Sequence, residues 1–361
     1  MNILINVPDL NIIGGKSNYY SALKEKFSPR ISYFTYGSRG KQTGKIGTIK
    51  RMVADYVNFY RTIKKKNIKL VVLNPSLEFK GFFRDGIFFL ITRFLPVKTI
   101  VFWRGWSLEF EKEARGKYRR FMDMSFMKAD AKIVLAKEFE EKVREWGFKK
   151  PVHLETTVVD EDLVQGLDSE WISKKEKEKA DKNLLFLARL EKNKGIFEIM
   201  DSYQELKPRY PELSLTIAGT GSAFDEVQTY IKQNQIEDVK MVGFVQGQAK
   251  AKAFHDADIY LFPSSHGEGM PNSLLEAMGC GLPVITTANA GIKDFFKDEE
   301  MGLILNDINR EELAEKIDKI LKDNHLKRNM SLYNFQYAEG HFYASVVAKR
   351  LEGIFDEVLG K

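Results

Sequence analysis

The chain has 361 residues, enough for about two domains at ~100–200 residues each. Its 43% hydrophobic and 29% charged residues exclude a disordered or collagen-like polymer, and a single cysteine, Cys280, excludes an internal disulfide framework and a cysteine-built structural metal site. The net charge of +6 is unevenly placed: residues 1–165 hold 31 Lys and Arg against 18 Asp and Glu, residues 166–361 hold 25 against 32, and the basic first half is expected to face something anionic.

In chain order, the first half presents the apolar runs NILINVP, ISYFTY, 69–75, 99–103 and 131–136 as strands. The opening MNILINVPDL has no basic segment before its apolar run and no small-residue cleavage site, so it reads as a strand entering a loop and not as a signal peptide. With one cysteine, a reducing, cytoplasmic setting is expected. Residues 79–96 mix Phe with Arg84, Asp85 and Arg93, too charged for a transmembrane helix. They fit either an amphipathic core helix or a segment lying in a membrane interface.

The charged stretch 166–182 is read as a linker, with a solvated helix as the alternative reading and the two compatible. Beyond it, strands at 183–190, 214–221, 240–244, 259–265 and 283–287 alternate with helices near 195–207, 222–234, 248–256, 273–279 and 311–322. Such alternation indicates βαβ units around parallel sheets, so the expected class is α/β with two doubly wound, Rossmann-like domains. The expected division is 1–165, a linker at 166–182, 183–340, and a last helix in 341–361 that packs back on the first domain.

The segment PSSHGEGMPNSLLEAMGCGLPVITT (263–287) carries the most chemistry. A strand ends at Pro263, a loop with Gly267 and Gly269 follows, and a helix starts near Asn272 or Ser273. A loop at a strand's carboxyl end that feeds a helix N-terminus is where open α/β sheets bind ligands, and the first-turn amides favour an anion such as a diphosphate. Glu268 lies in that loop and Glu276 one turn into the helix, an E-x7-E spacing. Ser273-x-x-Glu276 also fits a capping box, which would make Glu276 purely structural.

This segment resembles the retaining GT-B glycosyltransferases of the large group that includes bacterial polysaccharide and lipopolysaccharide sugar transferases. The likeness continues through A-R-L-E-K-N-K-G (188–195), I-A-G-T-G (217–221), V-G-F-V (242–245) and A-D-I-Y-L-F-P-S (257–264). It is weaker in the first half, resting on Gly14-Gly15 and on T-V-V-D (157–160). The resemblance implies two Rossmann-like domains facing across a cleft. It implies that Arg189 and Lys194 clasp the donor diphosphate, that Glu268 holds donor-sugar hydroxyls, and that amides of Gly269, Met270, Pro271's neighbour Asn272, and Ser273 support sugar and phosphate. Glu276 would take the ribose, Gly15 would approach the phosphates, and Phe244 and Val245 would lie near the base. Where many relatives place a histidine facing the sugar, this chain has Trp103-Arg104-Gly105-Trp106, so Arg104 would supply the hydrogen bond or charge there.

The expected activity is therefore metal-independent, retaining hexosyl transfer from a nucleotide-sugar to a glycan or lipid-linked acceptor in cell-surface polysaccharide synthesis. No cofactor or metal is expected, nor nucleic acid, and an anionic membrane surface is a candidate partner. A nucleotide-sugar epimerase of the same fold and a non-catalytic sugar-nucleotide-binding subunit are the alternatives. A dinucleotide dehydrogenase is disfavoured because neither half opens a helix with a clear G-x-G-x-x-G. Asp256-Ala-Asp258 precedes a buried strand and is read as helix-end and capping residues, and Cys280 as a small buried filler.

Overall fold

The computed structural model describes residues 1–12, 14–38, 44–178, 182–265 and 269–360. It divides into two compact units: unit 1 is Met1–Thr157 with Ala344–Lys361, and unit 2 is Val158–Tyr343.

Unit 1 begins with β1 (Asn2–Pro8), α1 (Gly15–Leu23), β2 (Ile31–Tyr36), α2 (Lys45–Lys65), β3 (Ile68–Leu73), β4 (Ser76–Leu77), α3 (Phe79–Thr92), β5 (Lys98–Phe102) and β6 (Gly105–Trp106). It continues through α4 (Leu108–Arg115), α5 (Arg119–Met124), β7 (Ala131–Val134), α6 (Lys137–Glu145) and β8 (Val152–Leu154). Six strands form a parallel sheet in the order β2-β1-β3-β5-β7-β8, while β4 pairs only with β6. Helices cover such a sheet on both faces, which is why β3, β5 and β7 are nearly continuous buried apolar runs.

Unit 2 runs α7 (Ser169–Glu178), β9 (Lys182–Leu187), α8 (Ile196–Leu206), β10 (Leu213–Ala218), α9 (Phe224–Gln233), β11 (Val239–Gly243), α10 (Gly247–Asp256) and β12 (Ile259–Phe262). Then follow α11 (Asn272–Gly279), β13 (Val284–Thr287), β14 (Gly302–Leu305), α12 (Arg310–Lys322) and α13 (Asn324–His341). Its parallel sheet has the order β11-β10-β9-β12-β13-β14, so the winding direction reverses between β9 and β12. The last helix, α14 (Ala344–Leu359), belongs to unit 1 and buries Val347, Ala348, Leu351 and Phe355 at helical spacing. Arg350 on α14 makes a two-pronged contact with the buried Glu155 carboxylate, at 2.9 and 2.8 Å.

Three elements refine the sequence reading. The expected linker at 166–182 contains helix α7, whose Ile172 is 2% exposed within unit 2, and the division falls instead between Thr157 and Val158. A single apolar anchor in a lysine-rich helix leaves little pattern to detect. Residues 79–96 contain the core helix α3, with Phe82, Phe88 and Phe89 at most 1% exposed, which realises the core-helix reading on that face, while Phe79 and Phe94 remain exposed. Helix α13 buries Met330, Phe335 and Ala338 together with polar residues; Asn334 among them donates to the carbonyls of Leu282 and Met301, a polar anchor that periodicity does not reveal.

Unit 1 also buries a lysine. Lys132 on β7 is fully enclosed, its Nζ 3.1 Å from Met127 Sδ and 4.1 Å from the Phe148 ring centre. Burial pushes its ammonium down to about 7, with Arg144 adding to the effect. The unfolded chain keeps this proton to about pH 10.4, so between these limits it binds more protons than the folded chain and stability rises with pH by up to ~1.4 kcal/mol per unit. Lys132→Met should abolish that contribution. In urea unfolding at several pH values, the variant's advantage over the parent is expected to be largest near neutrality and to shrink as the solution becomes alkaline. A constant difference would mean that the lysine keeps its charge when folded.

Candidate functional site

The reversal between β9 and β12 leaves a crevice at the carboxyl edge of the unit 2 sheet, flanked by the loops that follow these two strands. After β9 the chain makes a short 3-10 turn, Lys192–Lys194, and Gly195 adopts a left-handed φ of 69° before α8. A Cβ on Gly195 would stand 2.5 Å from the Pro263 carbonyl oxygen, so only glycine lets this loop approach the one after β12 so closely. Ser265 N–H and Oγ both donate to the Asn193 carbonyl, at 3.0 and 3.1 Å, tying the two loops together. A second close approach holds the β9 loop from the other side: Gly219, with φ 143°, leaves a Cβ no room against the Ala188 carbonyl.

Lys194 is consequently buried, 2% exposed, with Nζ 3.4 Å from Ser264 Oγ and 5.6 Å from the Phe262 ring centre. Arg189 is unlike it: its side chain is 70% exposed and Nη1 donates to Glu191 Oε1 at 3.0 Å. The β12 loop is anchored on both sides of its tip. The Ser264 carbonyl accepts from Thr287 Oγ1 and Asn289 Nδ2, both at 2.6 Å, and the Gly269 carbonyl accepts from Gly291 N–H at 2.9 Å. Glu268 lies outside the described residues, as does His266.

Helix α11 starts after Pro271, which occupies the N-cap and has no side-chain acceptor. Ser273 lies inside the helix and its Oγ accepts from Tyr260 O–H at 2.7 Å, so the capping-box alternative for Glu276 is not realised. Pro271 therefore gives the first-turn amides no side-chain cap, an arrangement that suits an anion at the positive helix end. Glu276 is 4% exposed; Oε1 accepts from Lys250 Nζ of α10, and among the described residues Oε2 meets no hydrogen-bond partner. A buried carboxylate oxygen left without a donor is costly, and a ligand hydroxyl would satisfy it. Met270 is buried, Phe244 is 45% exposed just beyond β11, and Val245 is half-buried beside it.

Unit 1 gathers cations at the corresponding edge of its own sheet, where order reverses between β1 and β3. Gly15 opens α1 with open space around it, and Lys16 Nζ donates to the Asn74 carbonyl at 2.7 Å. Burial pushes the Lys16 ammonium down to about 8; Asp85 and Glu78 oppose this, and the Arg84 and Arg104 charges reinforce it. Arg104 stacks its guanidinium 3.6 Å from the Tyr19 ring centre, with Nε and Nη1 unpartnered among the described residues. Sequence reasoning missed Lys16 and Lys250. Lys16 could have been found from its place directly after the glycine pair, whereas nothing marks Lys250 among the neighbouring polar residues of α10.

The remaining candidates are structural. Asp258 Oδ2 accepts from Asn183 N–H at 2.7 Å and Oδ1 lies 3.4 Å from Lys327 Nζ. His255 Nε2 contacts the Leu163 carbonyl. Cys280 is 1% exposed, and burial pushes its thiol up to about 12. Among the described residues no group of three or more His, Cys, Asp or Glu could hold a metal ion.

Residues 168–337 match the family described as Glycosyl transferases group 1. A putative colanic acid biosynthesis glycosyltransferase of Salmonella typhimurium, WcaL, is 30% identical over 148 residues, 39% of this chain and 36% of that protein. The match thus spans about a third of that relative's length. An uncharacterised glycosyltransferase of Methanocaldococcus jannaschii is 25% identical over 291 residues, 76% of this chain and 72% of its own. Among solved structures, sucrose-phosphate synthase of Thermosynechococcus elongatus superposes with a TM-score of 0.74 at 16% identity, covering 100% of both chains. HepE of Anabaena, in complex with UDP, gives 0.74 at 15% identity over 99% of this chain and 100% of that one. At such identities the likeness is one of fold, and that fold is GT-B.

The loop contact at Gly195 can be tested apart from activity. Gly195→Ala should destabilise unit 2 by more than the ~1–2 kcal/mol of a left-handed alanine, because its Cβ also meets the Pro263 carbonyl. Gly166→Ala is the control, with φ 80° and nothing near its Cβ. Chemical unfolding should show the larger loss for Gly195→Ala; equal losses would mean the close approach carries no energy.

Proposed function

We propose that the chain is a retaining glycosyltransferase that moves a sugar from a nucleoside-diphosphate sugar to a glycan or lipid-linked acceptor, in cell-surface polysaccharide synthesis. The observation that carries this reading is the placement, at one crevice, of the buried Lys194 and of Glu276, whose Oε2 meets no partner among the described residues, beside a helix N-terminus that Pro271 leaves without a side-chain cap. The colanic acid relative supports the polysaccharide setting, and HepE's complex with UDP makes a uridine-diphosphate sugar the first donor to assay.

In this reading the diphosphate lies against the first turn of α11, with Lys194 and Arg189 on its oxygens. As the bond to the anomeric carbon breaks, negative charge accumulates on the β-phosphate, so a cation held in place there stabilises the transition state more than the bound donor. Lys194 is already desolvated and confined by Ser264 and Phe262, which limits the reorganisation needed as that charge grows. Arg189 exchanges its exposed contact with Glu191 for the phosphate. The Glu276 Oε2 accepts a ribose hydroxyl while Lys250 holds Oε1, and Phe244 stacks on the base. Glu268, outside the described residues, takes donor-sugar hydroxyls in the same reading. With leaving-group charge met by side chains and a helix end, turnover needs no divalent metal. Arg104 offers its two unpartnered nitrogens to a sugar or acceptor oxygen on unit 1.

Steady-state kinetics on folded variants separate these roles. Lys194→Ala and Arg189→Ala are expected to lower kcat by roughly 10²–10³, the scale of losing one preorganised electrostatic partner. Glu276→Ala should chiefly weaken donor affinity, because a ribose contact is similar in ground and transition states. Near-parental kcat in both cation variants would remove the leaving-group role.

Turnover should persist in EDTA, and NMR of the product should show the donor's anomeric configuration. Activity that is lost in EDTA and restored by magnesium or manganese would contradict the metal-independent mechanism, and an inverted product would contradict retention.

A further inference from the structure

Among the described residues, thirteen of the fifteen exposed large hydrophobic side chains belong to unit 1, and six of those thirteen sit on α2. Helix α2 therefore has two apolar faces. One packs inward through Phe59 and Ile63, with the Phe59 ring against Phe34 and Phe88 at 5.2 and 4.9 Å. The other consists of Ile46, Ile49, Val53, Val57 and Tyr60, which are 73%, 61%, 56%, 43% and 37% exposed. These five follow one another at intervals of three or four residues, a continuous stripe about 21 Å long at 1.5 Å per residue.

The charges on the helix are one-sided. Six Lys and Arg stand against one acid, Asp55, and that carboxylate is buried and accepts from Gly37 N–H at 3.0 Å. By helical projection Lys50 and Arg61 border the apolar stripe along one side and Lys64 continues it one turn past Tyr60, its Nζ 4.8 Å from the Tyr60 ring centre. An exposed apolar stripe bordered by cations on a helix anchored by its opposite face has the chemistry of an interfacial helix. It is not a spanning one: among the described residues no helix is long and apolar enough to cross a membrane.

We propose that this face of α2 docks unit 1 on an anionic phospholipid surface, the stripe entering the headgroup boundary and Lys50, Arg61 and Lys64 meeting lipid phosphates. A second copy of the chain fits the face less well, since pairing two stripes would bring two rows of cations together with no acid to offset them. The docking deepens the acceptor side of the transferase reading, because lipid-linked acceptors lie at such surfaces. Its test needs neither donor nor acceptor, so either idea can fail alone.

The experiment is co-sedimentation of the full chain with vesicles of phosphatidylcholine alone or mixed with phosphatidylglycerol, at low and high salt. Binding should require the anionic lipid and weaken with salt. Ile49→Ser with Val53→Ser, at exposed positions where folding is unaffected and can be checked by circular dichroism, should lower partitioning by roughly tenfold per side chain. Lys50→Gln, Arg61→Gln and Lys64→Gln should each cost about fivefold on anionic vesicles. Equal binding to neutral and anionic vesicles, or undiminished binding by the Ile49→Ser/Val53→Ser variant, would overturn the proposal. So would a dimer that this variant dissociates while the parent ignores vesicles, which would assign the face to a second copy.

Discussion

The site in unit 2 depends on one close approach, the backbone of Gly195 against the carbonyl of Pro263. Order reversal in a parallel sheet opens a crevice at its carboxyl edge, but the loops there are free to splay unless something holds them. Here a left-handed glycine removes the side chain that would keep them apart, and the Ser265 to Asn193 hydrogen bonds close the contact. Lys194 follows from that contact: one residue before the glycine, its stem is trapped beside Ser264 and Phe262 and its ammonium cannot swing into solvent. The first turn of α11 and the Glu276 carboxylate follow directly on the β12 loop, so the two loops set the centre of the site, and Lys250 on α10 and Phe244 beyond β11 flank it.

Much of this was legible in the sequence, for a physical reason. Strands covered on both faces must be apolar throughout, so β3, β9, β12 and β13 stand out as short unbroken runs. The glycines at 195, 219 and 269 and the carboxylate at 276 mark the crevice because close backbone approaches and helix N-termini constrain residue type. The parts that stayed hidden rest on side-chain contacts with no periodic trace. Helix α13 is held by the Asn334 hydrogen bonds, α7 by Ile172, and Lys250 acquires meaning only when α10 is laid beside α11. The capping-box ambiguity was likewise beyond sequence, since it turned on whether Pro271 or Ser273 holds the N-cap.

The basic half of the chain divides into two chemistries in the folded protein. Lys16 and Arg104 are drawn to the carboxyl edge of the unit 1 sheet, where burial lowers the Lys16 ammonium and two Arg104 nitrogens meet no partner among the described residues. Lys50, Arg61 and Lys64 of α2 instead stay in solvent beside apolar side chains. Summed charge predicted an anionic counterpart but could not separate an edge that suits a small anion from a face that suits a surface. The segment richest in Phe, 79–96, attracted the interfacial reading, and its Phe82, Phe88 and Phe89 form core of unit 1 while Phe79 and Phe94 stay exposed; the continuous exposed apolar stripe lies on α2, whose sequence looks less hydrophobic.

The central claim is that the unit 2 crevice is a nucleoside-diphosphate site, and a structure of the protein with a bound nucleoside diphosphate tests it most directly. The account predicts the β-phosphate within hydrogen-bonding reach of Lys194 Nζ and the first-turn amides of α11, with a ribose hydroxyl on Glu276 Oε2. A nucleotide lodged at the Lys16 and Arg104 edge of unit 1, or one bound to unit 2 with Lys194 and Glu276 both unengaged, would contradict it.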